Sequence, residues 1–152
     1  TDKMKTKPLF DISKIVAYTD GGARENPGPA AIGIEIENLS TLFRVREYGE
    51  YIGEKTNNQA EYEAVIFAMK KVKQLVGKKK TKEAEIEIRM DSELVAKQLN
   101  GEYKIKEPEL QPLFPQVWNL RLDFKKVNFI HVPREKNRRA DRLVNSVLDN
   151  RS

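Results

Sequence analysis

The chain has 152 residues, 39% of them hydrophobic and 34% charged, which is enough for one globular domain with a real core and too little for two. It has no cysteine and one histidine, so disulfide frameworks, thiolate sites and multi-histidine zinc centres are excluded, oxygen must hold any metal, and a reducing cytoplasm is the expected compartment. With 28 Lys and Arg against 23 Asp and Glu the net charge is +5, a balance that suits a polyanionic partner; no apolar run approaches a membrane span, and no secretory signal is expected.

Residues 1–13 read as a flexible, basic lead-in without periodicity. Residues 15–20 predict a short buried strand that ends at Asp20. A tight turn is expected from Gly21 through Asn26, Pro27, Gly28 and Pro29. Ile32, Ile34 and Ile36 alternate with polar neighbours and predict a second strand. After a turn at Leu39, Ser40 and Thr41, residues 42–52 predict a third, with Gly53 closing an antiparallel meander.

Thr56, Asn57 and Asn58 are good capping residues for a helix running to about Val76. Ala64, Val65, Ala68, Val72 and Leu75 share one stripe of it, and Glu61 lies on that stripe. Gly77 and the following lysines predict a loop. Lys70, Lys71, Lys73, Lys78, Lys79, Lys80 and Lys82 crowd this region, either as solvated cations at a helix C-terminus or as contacts for a polyanion.

Ile86, Ile88 and Met90 predict a fourth strand ending at Asp91. Ser92 caps a short helix, Asn100-Gly101 stops it, and Tyr103 to Lys106 form a linker. Leu110, Phe114 and Trp118 have helical spacing and read as core packing rather than as a base-stacking platform. Residues 124–132 contain the fifth strand, with His131 near its end. After the loop Pro133 to Asn137, the last helix carries Ala140, Leu143, Val144, Val147 and Leu148, with Asp141 beside the stripe.

The order of three strands, helix, strand, helices, strand, helix predicts a mixed sheet with packed helices, an α/β architecture. Asp20 and Asp91 close strands, and Glu61 and Asp141 lie near helix starts. Each has a bland reading alone: turn chemistry for Asp20, half of a buried salt bridge for Glu61. Brought together they would repel one another unless cations intervene, and two Mg²⁺ ions suit an oxygen-only ligand set. Such a site hydrolyses phosphodiesters.

Thr19-Asp20-Gly21-Gly22 with Asn26-Pro27-Gly28-Pro29, then Thr56-Asn57-Asn58 with Ala60-Glu61-Tyr62, then Asp91-Ser92, then His131-Val132-Pro133-Arg134-Glu135 with Asn137 and Ala140-Asp141 resemble the type 1 ribonuclease H family. The likeness is to an archaeal-like branch without the basic protrusion, and it spans about residues 14–149. It implies a catalytic domain over 14–149 between the lead-in and a tail at 150–152. It also implies a ribonuclease H-like fold: a five-stranded mixed sheet, three strands antiparallel then two parallel, with helices on both faces. The implied activity is endonucleolytic hydrolysis of the RNA strand of RNA–DNA hybrids with two Mg²⁺ ions, or Mn²⁺, leaving 5′-phosphate and 3′-hydroxyl ends.

By the same resemblance Asp20 bridges both ions, Glu61 and Asp91 hold one, and Asp141 holds the other. Gly21, Asn26, Thr56, Asn57, Asn58, Gln59 and Ser92 fall on substrate-binding positions. Arg134 and His131 fall near positions that assist catalysis, Arg134 being the better placed. Three departures stand out. The stretch Asn100 to Pro108 is short and mixed in charge where other members grip hybrid, which leaves the lysine group or the lead-in as a replacement; His131 ends a strand; and Glu93 replaces a Gln. Double-stranded RNA as substrate and a catalytically dead hybrid-binding module are the alternatives. A monomer without membrane contact is expected.

Overall fold

Residues 15–21 and 30–36 are buried almost throughout and residues 85–90 alternate in burial with period two, and these three stretches build the centre of the sheet. The computed structural model describes residues 14–39 and 45–151. Strand β1 (Lys14–Ala23) pairs antiparallel with β2 (Gly28–Asn38), which pairs antiparallel with β3 (Arg46–Lys55). On its other edge β1 pairs parallel with β4 (Glu85–Met90), and β4 pairs parallel with β5 (Lys126–His131). The order is β3-β2-β1-β4-β5, so the mixed five-stranded sheet is as expected.

Helix α1 (Asn57–Val76) begins with a capping box. Thr56 Oγ1 accepts from the Gln59 N–H at 3.1 Å, and Gln59 Oε1 accepts from the Thr56 N–H at 2.8 Å, which satisfies two of the amides a helix start leaves without partners. The helix buries Ala64, Val65, Ala68 and Val72 against Ile34, Ile36, Ile86 and Ile88 of the sheet. Helix α5 (Arg138–Asp149) covers the opposite face, where Val144 and Leu148 pack on Ala31. The short helices α2 (Lys78–Thr81), α3 (Glu93–Leu99) and α4 (Phe114–Arg121) lie between them, with 3-10 turns at Pro108–Leu110 and Arg134–Lys136. The Tyr62 hydroxyl donates to Gln98 Oε1 at 2.9 Å inside the core, which ties α1 to α3.

Several expectations need correction. β1 does not end at Asp20: it continues through Gly21, Gly22 and Ala23, paired with Ile32, Ala31 and Ala30. What ends there is the parallel ladder, whose last pair is Thr19 with Met90. Asp20 and Asp91 are therefore the next residues on two adjacent strands. Gly53 does not close the meander. It lies within β3 at a positive φ of 87°, where the register slips by one residue against Ala30 and Ala31, as a glycine permits at a bulge. The expected lysine loop contains α2, since lysine is a good helix former once Gly77 has turned the chain.

Trp118 is not core: it is 43% exposed, stacked on Phe114, with the Arg121 guanidinium 4.2 Å from its ring. Helix α4 is short and buries only Val117. The lysines at the end of α1, Lys70, Lys71 and Lys73, lie about 14–18 Å along that helix from Glu61. The lead-in 1–13, the turn at Ser40 and Thr41, the strand start at Leu42 and the last tail residue lie outside the described residues.

Candidate metal centre and nucleic-acid interface

The sheet register sets two acids side by side, and a glycine brings in the third. A Cβ on Gly21 would lie 2.1 Å from the Ala60 carbonyl oxygen and 2.6 Å from the Glu61 nitrogen. Only glycine lets α1 sit this close to β1, and that closeness carries Glu61 to Asp20. One carboxylate oxygen from each of Asp20, Glu61 and Asp91 lies within 4.8 Å of the others. Asp141, in the first turn of α5, joins them from the other face and lines the same hollow.

Asp20 is buried, and burial, then the charges of Asp91 and Asp141, push its carboxyl up to about 8. Glu61 is driven well above the usual carboxylate range by burial and then by Asp20 and Asp91. The Gly21 N–H opposes both shifts as a donor, and the Arg134 guanidinium opposes the shift of Glu61. Carboxylates this close share protons unless a cation discharges them. All the donors are hard oxygens, so the cluster fits a divalent metal ion.

A pH dependence follows. An acid whose folded-state pKa lies above its unfolded value stabilises the fold at low pH and loses that contribution as pH rises between the two. For Asp20 the interval runs from 3.8 to about 8. Metal-free protein should therefore lose thermal stability across it, and Mg²⁺ should raise the melting temperature more at the top of the interval than near its bottom. Melting curves with Mg²⁺ and with EDTA at both ends check this; an equal Mg²⁺ effect at the two would contradict it.

Asn137 was legible only as part of a motif, and the structure gives it a position of its own. It is buried, its Nδ2 donates to the Thr19 carbonyl at 2.9 Å and to Asp91 Oδ2 at 3.2 Å, and its Oδ1 is buried without a hydrogen-bond partner among the described residues. Its carbonyl accepts from the Asp141 N–H at 3.1 Å. One side chain thus joins β1, the Asp91 carboxylate and the start of α5. Asn137→Ala should cost about 1–3 kcal/mol by stranding the Thr19 carbonyl; an unchanged denaturation midpoint would contradict this. Asn145 is the other residue missed: its Nδ2 donates to Asp141 Oδ2 at 3.4 Å, and its Oδ1 accepts from Arg24 at 3.3 Å.

Amides flank the acids on the α1 side. Asn26 Oδ1 accepts from the Asn57 N–H at 2.9 Å, and Asn57 Oδ1 accepts from the Ala23 N–H at 2.8 Å. These bonds pin the β1–β2 turn to the helix start. Asn58 is half-buried beside them. Gln59 and Thr56 serve the capping box, and Ser92 Oγ accepts from the Val95 N–H at 3.2 Å as the cap of α3. The acids, Gly21, Asn57, Ser92 and Arg134 line one hollow of about 420 Å³. His131 ends β5, exposed, and is not among the lining residues. Glu93 pairs with Lys97 at 3.3 Å on the surface.

Residues 18–147 match the family described as reverse transcriptase-like. LC11-RNase H1, isolated from compost by a metagenomic approach, is 46% identical, with 90% of this chain and 96% of that one covered and a TM-score of 0.81; its structure has also been solved with an RNA/DNA hybrid. RNase H1 of the halophilic archaeon Halobacterium salinarum is 38% identical, with 90% and 98% covered and a TM-score of 0.81. The bifunctional protein Rv2228c of Mycobacterium tuberculosis is 37% identical over 136 residues, 90% of this chain and 36% of the relative. The chain thus spans about a third of the length of the first curated relatives it matches.

Proposed function

The chain belongs to the type 1 ribonuclease H family, and from that premise we propose that it is an endonuclease hydrolysing the RNA strand of RNA–DNA hybrids. The observation that carries the proposal is the convergence of Asp20, Glu61 and Asp91 within 4.8 Å beside a flank of asparagines. Asp20, Glu61, Asp91 and Asp141 would hold two Mg²⁺ ions, for which Mn²⁺ can substitute. Bound, the ions supply an activated water and charge stabilisation at the leaving oxygen.

The protein's own groups do the reading and the holding. The side-chain oxygens of Asn26, Asn57 and Gln59 accept from backbone amides, so their NH₂ groups remain to donate to 2′-hydroxyls, which only the RNA strand offers. Asn58, Thr56 and the Ser92 hydroxyl extend the same flank, and Gly21 leaves the strand room to approach. Of the two candidate assistants we favour Arg134, which lines the hollow and offsets the charge of Glu61. His131, exposed at a strand end, would have to reach in from outside. No described helix is long and apolar enough to cross a membrane. A monomer acting in a reducing cytoplasm is the setting we propose, on the cysteine-free composition.

The test is the chemistry of the products. Both strands of a hybrid are labelled, and cuts are expected in the RNA strand alone, with 5′-phosphate and 3′-hydroxyl ends. Cyclic phosphate ends would mean that the 2′-hydroxyl is the nucleophile, and nicks in the DNA strand would mean that the amides do not read sugars. Either would overturn the proposal.

A further inference from the structure

The 3-10 turn Arg134–Lys136 and the last helix carry a cationic ridge, of which the carboxylate site uses only Arg134. Arg134, Arg138 and Arg142 recur every four residues, all exposed, and none has an ion pair among the described residues. Their neighbour Arg139 differs: it is bound to Glu35 at 2.9 Å and to Glu47 at 3.1 Å. Arg24, across the hollow, is likewise spent on Asp149 at 2.7 Å. The three free guanidinium groups line a second hollow with Glu135, Asp141 and Asn145, and this one shares Arg134, Asp141 and Asn145 with the carboxylate hollow. The two are continuous around Asp141.

The acids thus have unlike flanks. The α1 side offers neutral amides, suited to sugars. The α5 side offers unpaired guanidinium groups, which suit phosphate oxygens in bidentate geometry. Arg138 and Arg142 are about 6 Å apart along α5, Arg134 precedes them in the 3-10 turn before it, and a strand leaving the acids past Asp141 meets them in turn. Resting on the function proposed above, we propose that Arg134, Arg138 and Arg142 form a phosphate track for the cut RNA strand on the Asp141 side of the cleavage point. This track supplies grip that the short, mixed Asn100 to Pro108 stretch does not.

The test uses the full chain, an Arg138→Gln/Arg142→Gln double variant and the Arg138→Lys/Arg142→Lys counterpart. kcat and KM on a labelled hybrid are measured in Mg²⁺ over a salt series. Each lost phosphate contact removes about 0.9 from the slope of log affinity against log salt. The Gln variant should show a raised KM at low salt, a gap that narrows roughly tenfold between about 50 and 200 mM salt, and kcat within about twofold of wild type. The Lys variant, which keeps the charges, should keep the wild-type salt slope. Trimming the RNA strand back to the cut from one of its ends should erase the difference between wild type and the Gln variant, and trimming the DNA strand should not. Equal KM and slope in both proteins, or a gap that closes on trimming DNA, would overturn the track while hybrid cleavage stands. No hybrid cleavage by the wild type would overturn the underlying function as well.

Discussion

Asp20→Asn is expected to lower hybrid cleavage by on the order of a thousandfold or more, the scale on which a metal site contributes to phosphodiester hydrolysis, while leaving the fold intact. Asp20 is linked electrostatically to each of the other acids: Asp91 and Asp141 act on its carboxyl, and it acts on Glu61. Asparagine keeps the shape and removes the charge. In EDTA near pH 8 the variant should also melt higher, because one buried like charge is gone. Relief of about 1–2 kcal/mol corresponds to roughly 3–6 °C for a chain of this size. The paired result, lost cleavage with gained metal-free stability, separates a metal-site acid from a structural one, whose loss would lower both. Turnover within tenfold of wild type would remove Asp20 from the chemistry.

The second large effect is at Gly21. A methyl group there would lie 2.1 Å from the Ala60 carbonyl oxygen, and that atom is backbone, which cannot swing away as a side chain can. Gly21→Ala should force α1 off β1 at a cost of about 3 kcal/mol or more. Cleavage should fall about a hundredfold, since a displacement of an ångström suffices for that when it moves a catalytic group, here Glu61. Gly22→Ala is the control: its Cβ would meet only Val144 Cγ1 at 3.6 Å, an ordinary contact. Matched effects from the two substitutions in melting and cleavage assays would contradict the proposed seat of the helix.

The parts of this molecule that sequence made legible are those carried by local periodicity. The alternation of Ile32, Ile34 and Ile36 placed β2, and the capping residues Thr56, Asn57 and Asn58 placed the start of α1. Asp91 was legible at a strand end and Glu61 on a core-facing helix stripe, whereas Asp20 lies inside β1 and not at its end. What stayed hidden depends on contacts between distant residues. Asn137 reaches Thr19 across 118 positions, and nothing near Asn137 in sequence announces it. The run of β1 past Asp20 depends on pairing with β2, so Gly21 and Gly22 looked like turn residues when they are strand residues against which α1 and α5 pack. Trp118 was misread because its helical spacing says nothing of how little of α4 the core covers.

The most direct measurement is cleavage of end-labelled RNA presented as RNA–DNA hybrid, as RNA duplex and as single strand, by wild type and Asp20→Asn, with Mg²⁺, Mn²⁺ or EDTA. Cuts by the wild type in hybrid, present with either metal, absent in EDTA and absent from the variant, are the predicted result. Cuts in duplex RNA at the same rate would mean that the DNA strand is not read. Cleavage that persists in EDTA, or no cleavage of hybrid by folded wild-type protein that still binds it, would contradict the carboxylate centre as the seat of a ribonuclease.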